Sequence, residues 1–162
     1  MKDRQKKQEK VLILHNIRSN HNVGSLFRTA DCVGIHKIYL TGYTPTPIDR
    51  FGREVTEIKK TALGAEKNIP YEKNKNISSV INKLKEEGFQ MVAIEQAKSS
   101  VDYKSVKVKN KTAFILGNEV KGISPAILQR VDLVCEIPLK GKKESLNVSV
   151  AGAVALFRLL GV

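Results

Sequence analysis

The sequence predicts an α/β fold, a mostly parallel sheet with helices on both faces. Short apolar runs alternate along the chain with stretches whose apolar residues recur at helical spacing, the pattern of strand–helix–strand units. The runs are apolar almost throughout, as in VLIL, MVAI and AFIL, which suits parallel strands covered on both sides. With 162 residues, 41% hydrophobic and 27% charged, the chain has one domain's worth of core and lacks the composition of a disordered or collagen-like chain.

In order, residues 1–10 read as a basic polar tail, and residues 11–162 as the single folded domain. The tail is either a solvated end or a phosphate-contacting arm. VLILH is the first strand. Val23, Leu26, Phe27, Ala30 and Val33 then mark a helix, with Asn22 as its expected N-cap and Gly34 as its stop. KIYLTG is a strand, and TPTPIDRFG a loop punctuated by two prolines and a glycine. A short helix follows around 55–62, then the extended segment IPYEK. Ile77, Val80, Ile81 and Leu84 mark another amphipathic helix, ended by Gly88. FQMVAIE and TAFILG are strands. SPAILQRV is a short helix with Ser124 as cap and Pro125 in its first position. LVCEIPL is the last strand, and NVSVAGAVALFRLL the closing helix.

Charge bounds the partners. Lys and Arg number 28 against 16 Asp and Glu, a net charge of +12, which points to nucleic acid first and an anionic membrane second. Cys32 and Cys135 form no C-x-x-C pair and read as small hydrophobes in a reducing compartment. His15, His21 and His36 lack the spacing of a helical metal pair, so no metal is expected. No apolar stretch is long enough to span a membrane and the N-terminus is charged, so the expected location is cytoplasmic.

In an open α/β sheet, ligands bind beyond the carboxyl ends of the strands, so the residues following each strand carry the information. After the first strand, HNIRSNHNVGSLFRTA concentrates Asn22, Arg18 and Arg28. Arginines there either form surface ion pairs or hold phosphate in a bidentate fork. After TAFIL, GNEVKGIS approaches a phosphate-cradling loop, but Ile123 stands where the lysine must be, and what remains is a glycine-flanked loop carrying Glu119. After the last strand, Lys140, Lys142 and Lys143 form a basic patch. Ser145 and Asn147 follow, where Ser and Asn are ordinary helix caps. Ala151, Gly152, Ala153 and Ala155 suit close packing of the last helix, within the chain or against a second copy.

Taken together, these three segments resemble the motifs of the SpoU/TrmH-type RNA ribose methyltransferases of the SPOUT superfamily. NIRSNHNVGSLFRTADCVG is similar to the first, with Asn22 six residues before Arg28. FILGNEVKGIS is similar to the second, with Gly117, Glu119 and Gly122 at its core, and IPLKGKKESLNVSVAGAVALF to the third, with Ser145, Leu146 and Asn147. They stand in the family's order and cover nearly the whole chain. The resemblance implies a SPOUT fold with a deep C-terminal trefoil knot, and S-adenosyl-L-methionine as cofactor, held by Ile94, Glu95, Gly117, Asn118, Ile137, Leu139, Ser145 and Leu146. It implies a homodimer whose active site draws on both subunits, and methyl transfer to a ribose 2′-hydroxyl. Arg28, Asn22, Glu119 and Asn147 would form the catalytic set, with Arg18, Lys140, Lys142 and Lys143 on the RNA. A guanidinium stays protonated, so Arg28 is expected to grip a phosphate and position the 2′-oxygen. The compact chain favours tRNA over rRNA as substrate. The alternative is an RNA-binding protein of the same fold without turnover.

Overall fold

The computed structural model describes residues 8–162. The chain alternates as β1 (Glu9–His15), α1 (Asn20–Val33), β2 (Lys37–Thr41), α2 (Thr56–Ala62), α3 (Ala65–Asn68), β3 (Tyr71–Asn74), α4 (Ile77–Glu86), β4 (Gln90–Ile94), β5 (Val101–Asp102), a 3-10 turn at Tyr103–Ser105, β6 (Lys111–Leu116), α5 (Pro125–Leu128), β7 (Leu133–Glu136) and α6 (Val148–Leu160). Seven strands form one sheet in the order β3-β2-β1-β6-β4-β7-β5. Every adjacent pair in it is parallel.

Because side chains alternate along a strand, the apolar runs feed two cores. Leu12, Leu14, Ile38, Leu40, Val92, Ile94, Phe114, Leu116 and Cys135 lie on the face covered by α1, α2, α3 and α6. Val11, Ile13, Tyr39, Met91, Ala93, Ala113, Ile115 and Val134 lie on the other, covered by α4 and α5. The closing helix seats tightly on the first face. At Gly152 an added Cβ would come within 2.6 Å of Leu26 Cδ2 and 2.8 Å of Leu116 Cδ1, so the missing side chain lets α6 approach both α1 and β6. Ala155 is fully buried as well, so part of the small-residue stretch serves packing within the chain.

The structure revises several sequence expectations. β1 begins at Glu9, and its second residue, Lys10, is buried, its ammonium donating to the carbonyls of Lys109 and Asn110. The expected tail of 1–10 therefore does not extend through residues 9 and 10, while residues 1–7 lie outside those described. The cap of α1 is Ser19, whose hydroxyl accepts from the Asn22 amide, and Asn22 sits in the first turn. Cys32 is exposed rather than part of a core; Cys135 is buried, and burial pushes its thiol up to about 11. The stops and caps at Gly34, Ser124 and Asn147 stand where the sequence puts them. Among the described residues, no helix is long and apolar enough to cross a membrane.

Candidate active site

The loops after β1, β4, β6 and β7 meet at the carboxyl edge of the sheet. The β6 loop is a tight turn closed by an Asn118–Gly122 bridge. The Asn118 side-chain oxygen accepts from the backbone of Val120 at 2.9 Å and Lys121 at 2.8 Å. Gly122 has φ +64, and a Cβ there would fall 2.4 Å from Glu95 Oε2. Only glycine takes that backbone without strain and leaves the space. Glu95 uses the space: its Oε2 accepts from the Ile123 amide at 2.9 Å and its Oε1 from the Gln96 amide at 2.9 Å. The Asn118 amide nitrogen also braces neighbouring loops, donating to the Asn16 carbonyl and meeting the Tyr43 hydroxyl, both at 2.9 Å.

This turn delivers Glu119 to the start of α1. Its carboxylate accepts from the backbone of Arg18 at 3.0 and 3.1 Å, from Ser19 at 3.0 Å, and from Asn22 Nδ2 at 3.1 Å. Burial pushes the carboxyl's pKa up, but the Ser19 and Arg18 amides, with the Asn22 side chain, outweigh it. The net effect holds Glu119 below the usual glutamate range. With its nitrogen spent on Glu119, Asn22 turns its oxygen to Asn147 Nδ2 at 3.2 Å. Asn147 Oδ1 caps α6, accepting from Ser149 at 2.9 Å and Val150 at 3.4 Å. Helix capping and site building are thus done by one side chain. The relay Glu119–Asn22–Asn147 ties together all three polar segments singled out in the sequence.

Beside the relay opens a cleft of about 350 Å³, within the range of small-molecule sites. All eight residues expected to hold the cofactor line it: Ile94, Glu95, Gly117, Asn118, Ile137, Leu139, Ser145 and Leu146. Sequence reasoning missed Glu136 and Glu144, which also line it. With Glu95 and Glu119 they make four glutamates against one lysine, Lys121, in the lining of a chain of net charge +12. A lining that mixes aliphatic side chains with glutamates suits a ligand with an apolar body and a cationic centre. Among the described residues, no cluster of His, Cys, Asp and Glu could hold a metal ion.

The expected RNA-facing groups lie outside this cleft. Arg18, Lys140, Lys142 and Lys143 are exposed, as is Arg28. The carboxylate takes Arg18's backbone and leaves its guanidinium free of it. No hydrogen bond or ion pair holds Arg28 among the described residues. Six residues along a helix is about 240° of rotation, so Arg28 leaves α1 in another direction from Asn22. The relay therefore does not bring Arg28 to Glu119 within one chain.

The sequence profile of the SpoU rRNA Methylase family matches residues 9–157. A tRNA (guanosine(18)-2'-O)-methyltransferase of Aquifex aeolicus (strain VF5) is 33% identical over 153 residues, covering 93% of this chain and 69% of that protein. A Staphylococcus aureus (strain COL) protein of the TrmH tRNA/rRNA methyltransferase family is 30% identical over 149 residues, which is 92% of this chain but only 57% of that protein. Among solved structures, the AdoMet-bound rRNA methyltransferase from Sinorhizobium meliloti superimposes with a TM-score of 0.85 at 28% identity, over 94% of this chain and 56% of that one. The chain thus spans little more than half the length of several proteins it matches.

Proposed function

Because this chain belongs to the SpoU rRNA Methylase family, we propose that it is an S-adenosyl-L-methionine-dependent RNA methyltransferase. It acts on a ribose 2′-hydroxyl, of tRNA before rRNA. The observation that carries this reading is the Glu119–Asn22–Asn147 relay standing beside an acid-lined cleft. When bound, the cofactor supplies a methyl group on an already activated, positively charged sulfonium. Ile94, Ile137, Leu139 and Leu146 offer it apolar wall, while Glu95, Glu136 and Glu144 favour its positive charge. A phosphate backbone is a poor occupant for that cleft, which weighs against a module that only binds RNA.

In this reading Glu119 is a positioning residue. Its carboxylate is filled by four hydrogen bonds, so its work is to fix the β1–α1 loop and the Asn22 amide. Asn147 and Ser145 shape the mouth where a ribose meets the cofactor. The chemistry requires the 2′-oxygen in line with the methyl group and relieved of its proton. A guanidinium cannot take that proton, so Arg28 holds the neighbouring phosphate and orients the ribose. Its exposure, and the apolar stripe Val150, Val154 and Phe157 left open on α6, support a homodimer in which one copy supplies Arg28 to the other's cleft. Residues 9–162 would act as one domain, with the chain after β7 threaded into the trefoil knot, in the cytoplasm where tRNA and rRNA are reached. Arg18, Lys140, Lys142 and Lys143 flank the cleft as phosphate contacts.

The test is transfer of radiolabelled methyl from S-adenosyl-L-methionine to bulk tRNA and, separately, to rRNA, with nucleoside analysis of the product. Label in a 2′-O-methylnucleoside establishes the reaction and names the RNA pool. Cofactor-independent RNA binding with no label in either pool would replace it with the binding-module reading.

A further inference from the structure

Outside the cleft, the connection from β2 to α2 builds a small rigid hairpin. Ile48 and Glu54 form an antiparallel bridge. The Asp49 amide donates to the Arg53 carbonyl at 2.8 Å, and the Gly52 amide to the Asp49 carbonyl at 3.0 Å. The Asp49 carboxylate closes the turn, accepting from the backbone of Phe51 at 2.8 Å and Arg53 at 2.9 Å, and from Arg53 Nε at 2.9 Å. At the tip, Phe51 is 66% exposed. The guanidinium carbons of Arg50 and Arg53 lie 4.7 and 4.9 Å from its ring centroid.

The root of this hairpin is fixed to the active-site side of the sheet. The Thr44 hydroxyl accepts from the Ile17 amide at 3.0 Å and donates to the Leu14 carbonyl at 2.8 Å. Lys73 Nζ donates to the carbonyls of Gly42 at 2.7 Å and Thr44 at 2.6 Å. Tyr43, at the hairpin's base, meets Asn118 of the cleft wall. The connection thus leaves the cleft wall at Tyr43 and carries its hairpin to the side of Lys67 and Tyr71, where Glu54 pairs with Lys67 at 3.3 Å and a large aromatic ring stands out to solvent.

We infer that Phe51, with Arg50 and Arg53, is a stacking platform for an unpaired nucleobase of the RNA, outside the cleft. The inference rests on the RNA reading proposed above. The two guanidiniums lie over the ring, so a base stacks on a guanidinium plane or takes its place on the ring, and the displaced arginine reaches a flanking phosphate. Such a contact adds affinity without reading base edges. The net charge of +12 supplies the attraction that brings the strand to it.

The chain contains no tryptophan, so Phe51→Trp makes the platform its own reporter. Tryptophan emission of that variant is followed while unlabelled single-stranded oligoadenylate, or base-free inorganic polyphosphate, is added. In parallel, anisotropy of fluorescein-labelled oligoadenylate gives the affinity of the wild type, Phe51→Ala and Phe51→Trp. The expected result is quenching by oligoadenylate and not by polyphosphate. Phe51→Ala should bind about tenfold more weakly with an unchanged salt slope, and Phe51→Trp should restore affinity. The ring is exposed, so both variants should melt with the wild type. Binding of oligoadenylate with either result missing overturns the platform and leaves the methyltransferase reading intact. A wild type that binds neither oligoadenylate nor bulk tRNA overturns both.

Discussion

The two halves of the sheet's carboxyl edge are built for opposite charges. The loops after β4, β6 and β7 enclose a cleft carrying Glu95, Glu119, Glu136 and Glu144 against Lys121. The loops after β1 and β2, with the adjoining helix, present Arg18, Arg28, Arg50 and Arg53 to solvent. In the first half Glu95 and Glu119 spend their carboxylates on neighbouring amides. In the second, Arg28 makes no ion pair among the described residues, and Arg50 and Arg53 lie over Phe51, Arg53 pairing with Asp49 as well. In the reading proposed above the chain holds a small cationic ligand and a polyanion at once, and separating the two fields keeps either from occupying the other's place.

The sharpest way to break this division is at Arg28. Arg28→Ala is expected to lower turnover by about 10²–10³-fold, the cost of losing one preorganised donor. Cofactor affinity, measured by calorimetry, should stay that of the wild type. Loss of cofactor binding would mean that the arginine belongs to the acidic half after all.

Glu119→Gln comes next. It leaves backbone donors facing a neutral amide and is expected to destabilise the fold by about 1–3 kcal/mol in urea melts at pH 7. The sign of the pH dependence follows from its lowered pKa. Folding favours the ionised form, so Glu119's share of stability is present above the ordinary glutamate value near 4.5 and is lost as pH falls through the lower folded value. The variant should lose that part of the acid slope.

Gly122→Ala places a methyl group against Glu95 on a left-handed backbone. About 1–2 kcal/mol of stability should go with it, and cofactor affinity should fall while RNA affinity holds. The smallest effect is on the basic side. Replacing both Lys142 and Lys143 by alanine should flatten the log-affinity against log-salt slope on single-stranded RNA by about 1.4, or ~0.7 for each phosphate no longer neutralised.

Much of this was legible in the sequence because it depends on local pattern. Strands and long helices are written in apolar periodicity, and Gly34, Ser124 and Asn147 mark their ends by simple stereochemistry. What escaped was short or set by tertiary contact. α3 has four residues and β5 two exposed ones, too few for any period. Lys10 reads as tail because nothing in its neighbours reveals the carbonyls of Lys109 and Asn110 above it. Asn22 reads as a cap because it is a good one; Ser19 takes the cap and frees Asn22 to bridge Glu119 and Asn147. The eight cleft residues followed from a family pattern. Glu136 and Glu144 belong to no motif, so the cleft's acidity emerges only when the loops are assembled.

The margins of the sheet carry one more consequence. On one side it ends in β3, four residues long, and on the other in β5, two residues long. A strand from another molecule would find almost no open backbone to hydrogen-bond along, so edge-to-edge growth into aggregates is blunted by brevity alone. The homodimer proposed above would form instead through helical surfaces, where a contact can close on itself and stop.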